Sequence, residues 1–157
     1  MKPSVYVETT IPSYYAAHPS RDVVIAGRQA TTREWWERRL PDFRVFISQL
    51  VLDEVALGDA QFAARRLQAL KRFPLLDLRE DIIELARYFV DAGPLPAKAA
   101  RDALHIALAA CHGVDFLLTW NCTHIANAEI IPKIASICCQ HGLGCPIICT
   151  PDELMGV

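Results

Sequence analysis

The feature that most constrains this chain is a series of short apolar runs separated by stretches of helical periodicity. The runs fall at 5–7, 44–47, 75–76, 116–119 and 146–149, and each is only two to four residues long. Strands so short, with no polar alternation and with a helix between each pair, are not hairpin partners. They pair in parallel and are covered on both faces by the intervening helices. The expected fold class is therefore α/β, a three-layer α/β/α sandwich around a central, mostly parallel sheet. At 157 residues, with 52% apolar and 22% charged side chains, the chain suits one packed core and one domain, 1–157.

Local signals place the helices. Val23, Val24, Ala30, Trp35, Trp36 and Leu40 recur at mixed three- and four-residue spacings, so a long amphipathic helix is expected over 20–40, capped by Ser20. Neighbours in a helix point about 100° apart, so Trp35 and Trp36 cannot both face inward, and one is expected on a dimer or partner surface. Ser48 is placed to cap a helix over 49–57, and Gly58 to end it. Asp59 is placed to cap the next, over 60–72. Helices are also expected around 82–90, closed by Gly93, and over 97–112, Ala-rich and stopped by Gly113. Another is expected over 129–141, with Pro132 in its first turn. Thr150, Pro151 and Glu153 form a capping-box start for a last short helix.

The formal net charge of -2 supplies no global positive field, so contact with nucleic acid requires a local basic strip. Arg65, Arg66, Lys71 and Arg72 form one candidate strip, and Lys98 with Arg101 another. The N-terminal residues lack a signal-peptide core. The longest apolar stretch, 103–118, is interrupted by His105, His112, Gly113 and Asp115 and falls short of the ~20 residues a bilayer requires. A soluble, cytoplasmic protein with no membrane partner is expected, with its six cysteines as reduced thiols. Cys122, His124, Cys138, Cys139, His141 and Cys145 lack the spacing of a common zinc module.

In open parallel sheets, sites form outside the carboxyl ends of the strands. Glu8 and Asn121 both fall at such ends. Glu54 borders the inward stripe of Leu50, Val51 and Val55, whereas Asp53 turns about 100° away. Asp102 shares a helix face with Ile106 and Ala109, one turn beyond Lys98. A carboxylate on a buried stripe costs several kcal/mol unless paired or bound to a cation. A hard metal ion would satisfy all three acids. The competing readings are a solvated acid or a structural ion pair for each carboxylate, and a turn or cap for Asn121.

Four segments, VYVETTIPSYY, SQLVLDEV, RDALHIALA and LLTWNCTHIAN, occur in this order along nearly the whole chain. Together they resemble the PIN-domain nucleases, particularly the VapC-type toxins of bacterial toxin–antitoxin pairs. The resemblance implies that Glu8, Glu54, Asp102 and Asn121 occupy the family's four acidic-site positions. The family most often has Asp where Glu8 stands, and a further Asp where Asn121 stands. The first departure lengthens the arm, and the second loses a charge. Thr119 matches a hydroxyl position of the family, and Thr9 lies near enough to orient a water or ligand.

The implied cofactor is Mg²⁺ or Mn²⁺, held by Glu8, Glu54 and Asp102. Water then attacks phosphorus in line, leaving a 5′-phosphate and a 3′-hydroxyl on RNA. Lys98, Arg101 and His124 are candidates for phosphate contact. A homodimer and a small antitoxin that inserts toward the acidic pocket are the implied partners. A catalytically silent PIN-like binding module is the alternative, and a partner-binding protein whose acids only form ion pairs is a third reading.

Overall fold

The computed structural model describes residues 1–157. It has five strands: β1 (Ser4–Val7), β2 (Arg44–Ser48), β3 (Leu75–Leu76), β4 (Phe116–Leu118) and β5 (Ile147–Cys149). All pair in parallel, in the order β3-β2-β1-β4-β5. Val5 stands opposite Val45 on one side and Phe116 on the other, and Tyr6 opposite Phe46 and Leu117. Every residue of β1 is buried, as a central strand covered on both faces requires. Seven helices flank this sheet: α1 (Thr10–Ala16), α2 (Val23–Glu34), α3 (Gln49–Val55), α4 (Ala60–Leu70), α5 (Glu80–Asp91), α6 (Ala100–Cys111) and α7 (Ile131–Gln140). The α/β/α sandwich expected from the alternation of runs is the fold observed.

The strand order reverses beside β1. The chain leaves β1 toward β2 and β3, then crosses back to place β4 on the other side of β1. The carboxyl ends of β1 and β4 therefore border the crevice where such sheets hold their ligands. The Ala-rich helix α6 lies deep, with Ala103, Ile106, Ala107, Ala109 and Ala110 all buried. Its small side chains permit close packing, and α5 lies alongside it. At Gly93, just after α5, an added Cβ would meet the Phe89 carbonyl oxygen at 2.5 Å, so no side chain fits there.

Two local expectations are corrected. The cap of α2 is Asp22, not Ser20: its Oδ1 accepts from the N–H groups of Val24 at 2.9 Å and Ile25 at 3.0 Å. Ser20 lies too far upstream and instead accepts the Asp22 N–H at 3.1 Å. Trp35 and Trp36 are both buried, at 0% and 6% exposure, so neither supplies a partner surface. The two rings do leave the helix in different directions, but both directions are covered by aromatic neighbours. Here α2 passes into a π-helical turn, Trp35–Arg39, in which the Leu40 N–H bonds back to the Trp35 carbonyl. Trp35 packs against Phe43 with ring centroids 5.8 Å apart, while Trp36 stacks on Tyr15 at 4.5 Å and meets Phe73 edge-on.

The start of α3 is as expected, with the Ser48 hydroxyl accepting from Val51 N–H at 3.4 Å. Its end involves Arg66 of α4, which donates to the carbonyls of Val55 at 2.9 Å and Leu57 at 2.7 Å. Gly58 then turns the chain at φ 85°. Arg66 is thereby committed to capping and leaves the first candidate basic strip. Asp59 caps α4 through Gln61 and Phe62 N–H. Glu153 closes the capping box after β5 by accepting the Thr150 N–H at 3.1 Å. No helix is long and apolar enough to cross a membrane.

The buried stack at the π turn generates a stability prediction. Trp36→Ala is expected to cost about 3–5 kcal/mol, the range for truncating a large buried aromatic side chain, measured by urea unfolding. A change within about 0.5 kcal/mol, typical of surface positions, would contradict the inward placement of Trp36.

Candidate functional site

The backbone of Glu8 continues β1 by donating its N–H to the Leu118 carbonyl at 3.1 Å. This pairing holds its side chain at the switch point, only 3% exposed. The carboxylate accepts from the Thr10 N–H at 3.0 Å, the Thr10 hydroxyl at 2.7 Å and the Thr119 hydroxyl at 3.0 Å. Thr10 Oγ1 also accepts the Trp120 N–H at 2.8 Å, and Thr119 Oγ1 the Asn121 N–H at 2.9 Å. These two hydroxyls therefore lace the tips of β1 and β4 together around the acid. Burial pushes the Glu8 carboxyl above the usual range, while nearby His105 and the Thr10 and Thr119 donors pull the other way.

Glu54, on α3, reaches the same crevice. Its Oε1 accepts from the Thr9 hydroxyl at 2.6 Å and bonds His105 Nε2 at 2.6 Å. Its Oε2 faces Arg101 Nη1 at 3.9 Å. Partial burial would raise this carboxyl, but the His105 and Thr9 hydrogen bonds with the Arg101 charge outweigh it and hold Glu54 below the usual range. Thr9 and Thr10 are adjacent residues, so consecutive hydroxyls bring Glu54 and Glu8 together. Asp53 points outward and accepts from Gln49.

Asp102, in the first turn of α6, is half-buried and bonds His124 Nδ1 at 3.1 Å. It lies one helical turn from His105, so the two side chains occupy neighbouring positions on one helix face. Asn121 takes the local role that competed with ligation: its Oδ1 accepts the His124 N–H at 3.0 Å. Its own carbonyl accepts from Ile125 and Ala126. A turn-building Asn thus aims His124 at Asp102. Arg101, exposed in the first turn of α6, lies beside Glu54, and Lys98 is exposed in the short turn just before that helix; together they form a small basic rim.

Three side chains around these acids were not legible as site residues in the sequence: Thr10, which donates to Glu8, and His105 with Tyr6 behind Glu54. His105 is 1% exposed, and its Nδ1 bonds the Tyr6 hydroxyl at 2.7 Å. Tyr6 in turn bonds Ser48 Oγ at 2.7 Å. The available signal was a polar ring in an otherwise apolar context, Tyr6 in a central strand and His105 one turn from Asp102.

No three His, Cys, Asp or Glu side chains close around one point. Mg²⁺ needs no such cage, because it keeps several waters and takes one or two carboxylates. The donors fit in kind: Glu8, Glu54 and Asp102 are hard oxygen ligands, with no thiol among them. Glu8 in addition is buried against neutral hydrogen-bond donors, with no Lys or Arg in contact, an environment that a cation would relieve.

The PIN domain family matches residues 23–121, more than half of the chain. The match takes in Glu54, Asp102 and Asn121 and begins beyond Glu8. No curated protein matches.

The raised Glu8 carboxyl has a signed consequence. It holds its proton more tightly in the folded state than in the unfolded chain, so the metal-free fold loses stability as pH rises above about 4.5. Glu8→Gln removes the charge at nearly constant shape. In calorimetric melts without metal, it is expected to raise Tm at neutral pH. Near pH 4 it should match the wild type. An equal shift at both pH values would contradict the assignment.

Proposed function

Given that the chain belongs to the PIN-domain family, whose members are generally metal-dependent nucleases, we propose that it is an endoribonuclease that hydrolyses RNA phosphodiester bonds with Mg²⁺ or Mn²⁺. The observation that carries this reading is the meeting of Glu8 and Glu54, through adjacent threonines, at the sheet's switch point. In this reading residues 1–157 act as one PIN-like domain in the cytoplasm. The protein is a VapC-type toxin, a homodimer restrained by a small antitoxin that reaches the acidic pocket.

Glu8, Glu54 and Asp102 would hold the ion, which supplies Lewis acidity at a phosphodiester and activation of water near neutral pH. Thr9 fixes one oxygen of Glu54, and Thr10 with Thr119 fix Glu8. His124, placed by Asn121, orients Asp102. Arg101 and Lys98, on the exposed rim, neutralise the backbone phosphates of an incoming strand, and Arg101 lies nearest the acids. The engagement of the Asn121 oxygen in its own turn favours one second reading, a silent PIN-like module that binds RNA without turnover.

Purified protein with Mg²⁺ or Mn²⁺ is expected to cut RNA to 5′-phosphate and 3′-hydroxyl ends, and chelation should stop it. Asp102→Asn should lower the rate by about 100-fold or more with an unchanged circular-dichroism spectrum. Full activity in that variant refutes the assignment, and binding without cleavage by the wild type selects the silent module. For the basic rim, Lys98→Ala and Arg101→Ala should each weaken binding of single-stranded RNA. Each should also flatten the slope of log affinity against log salt by about 0.7. Filter binding across a salt series reads both effects, and an unchanged slope removes the rim from the interface.

A further inference from the structure

The chain Ser48–Tyr6–His105–Glu54 is a hydrogen-bond relay whose first three members are almost fully buried, with only Glu54 reaching solvent. Apolar residues of similar shape would pack these positions without the desolvation that a hydroxyl, a phenol and an imidazole entail. Packing alone therefore does not explain the polar atoms. Their bonds run in one consistent direction. With Glu54 ionised and His105 neutral, Nε2 carries the proton that Glu54 accepts, so Nδ1 accepts from the Tyr6 hydroxyl and Tyr6 in turn accepts from Ser48 Oγ, which itself accepts from Val51 N–H. In this arrangement every donor and acceptor is used once along the line, with nothing orphaned.

Both ends of the relay are anchored in rigid elements. Tyr6 sits in register between β2 and β4, and Ser48 is at once the last residue of β2 and the cap of α3, the helix that carries Glu54. The donors converge on one atom. His105 and Thr9 both bond Glu54 Oε1, which leaves Oε2 turned to the crevice with only Arg101 near it, at 3.9 Å.

Resting on the metal-dependent reading above, we propose that His105 and Tyr6 are positioning residues, which saturate Oε1 of Glu54 so that Oε2 is presented to the cation. Neither touches substrate or ion. Loss of such outer partners generally weakens metal affinity by roughly 10–100-fold.

The test is calorimetric titration of the full chain with Mn²⁺ alone. His105→Leu is expected to weaken binding roughly 10–100-fold. His105→Gln, which keeps an N–H near the position of Nε2, should recover part of that loss. Tyr6→Phe removes one atom, remote from the ion, and should weaken binding about fivefold, the worth of one net hydrogen bond. Combined with His105→Leu it should add nothing, because its effect passes through His105. Wild-type affinity in folded Tyr6→Phe and His105→Leu, or losses that add, overturns the proposal. Should His105→Leu not fold, Tyr6→Phe alone decides by the same criterion.

A metal-free readout separates this proposal from the nuclease assignment. Nitrogen-15 spectra of the apo protein should show His105 protonated at Nε2 with Nδ1 as acceptor, and Tyr6→Phe should perturb the Nδ1 resonance. The opposite tautomer overturns the relay. The expected signature in a wild type that binds no Mn²⁺ sinks the nuclease reading and with it the presentation of Oε2 to a cation, and leaves only the hydrogen-bond order of the relay.

Discussion

The site end of this molecule is organised around one difficult requirement, an ionisable carboxyl enclosed at the tip of the central strand. Glu8 is almost sealed, and burying a carboxylate costs several kcal/mol unless its oxygens are partnered. The partners come from two strand tips that the parallel order sets side by side, Thr10 after β1 and Thr119 after β4. Each hydroxyl accepts a backbone N–H from the β4 loop while donating to the acid. The same bonds that solvate Glu8 thereby fix the path of Trp120 and Asn121. The course of that loop determines where His124 stands, and His124 orients Asp102.

The two acids held by adjacent threonines experience opposite environments. Glu8 has only neutral donors in contact, and its ionisation is disfavoured. Glu54 has an imidazole, a hydroxyl and a guanidinium nearby, and its ionisation is favoured. The split comes from burial on one side and from the His105, Thr9 and Arg101 partners on the other. It follows from topology: Glu8 ends a strand inside the sheet, while Glu54 projects from a helix at its margin.

Much of the architecture was legible in the sequence because it rests on period and punctuation. Runs of two to four apolar residues marked all five strands, and Ser48, Gly58 and Asp59 marked one helix boundary after another. The positions of Glu8, Glu54 and Asp102 at strand tips and on inward helix faces were legible on the same grounds. What escaped depends on contacts across the chain. Arg66 read as part of a basic strip until its distant carbonyl partners were known. Tyr6 read as part of an apolar strand and His105 as a polar break in an apolar stretch, since only the pairing of β1 with β2 and the packing of α6 brings their polar atoms into line. Asn121 allowed both a ligand and a turn reading, and its contact with His124 N–H is of a kind that Asn makes in many proteins.

The π turn that follows α2 has a consequence beyond the burial of two rings. A π turn holds one residue more than the α-helical turn it interrupts, so it shifts the phase of everything after it along the helix. Shortening the chain by one residue there would convert the segment to regular helix and rotate the following side chains by about 100°. The stack of Trp36 on Tyr15 joins this turn to α1, the helix that begins two residues after Glu8. An insertion or deletion at Trp35–Arg39 would therefore be felt at the mouth of the crevice, although no residue of that turn lies there.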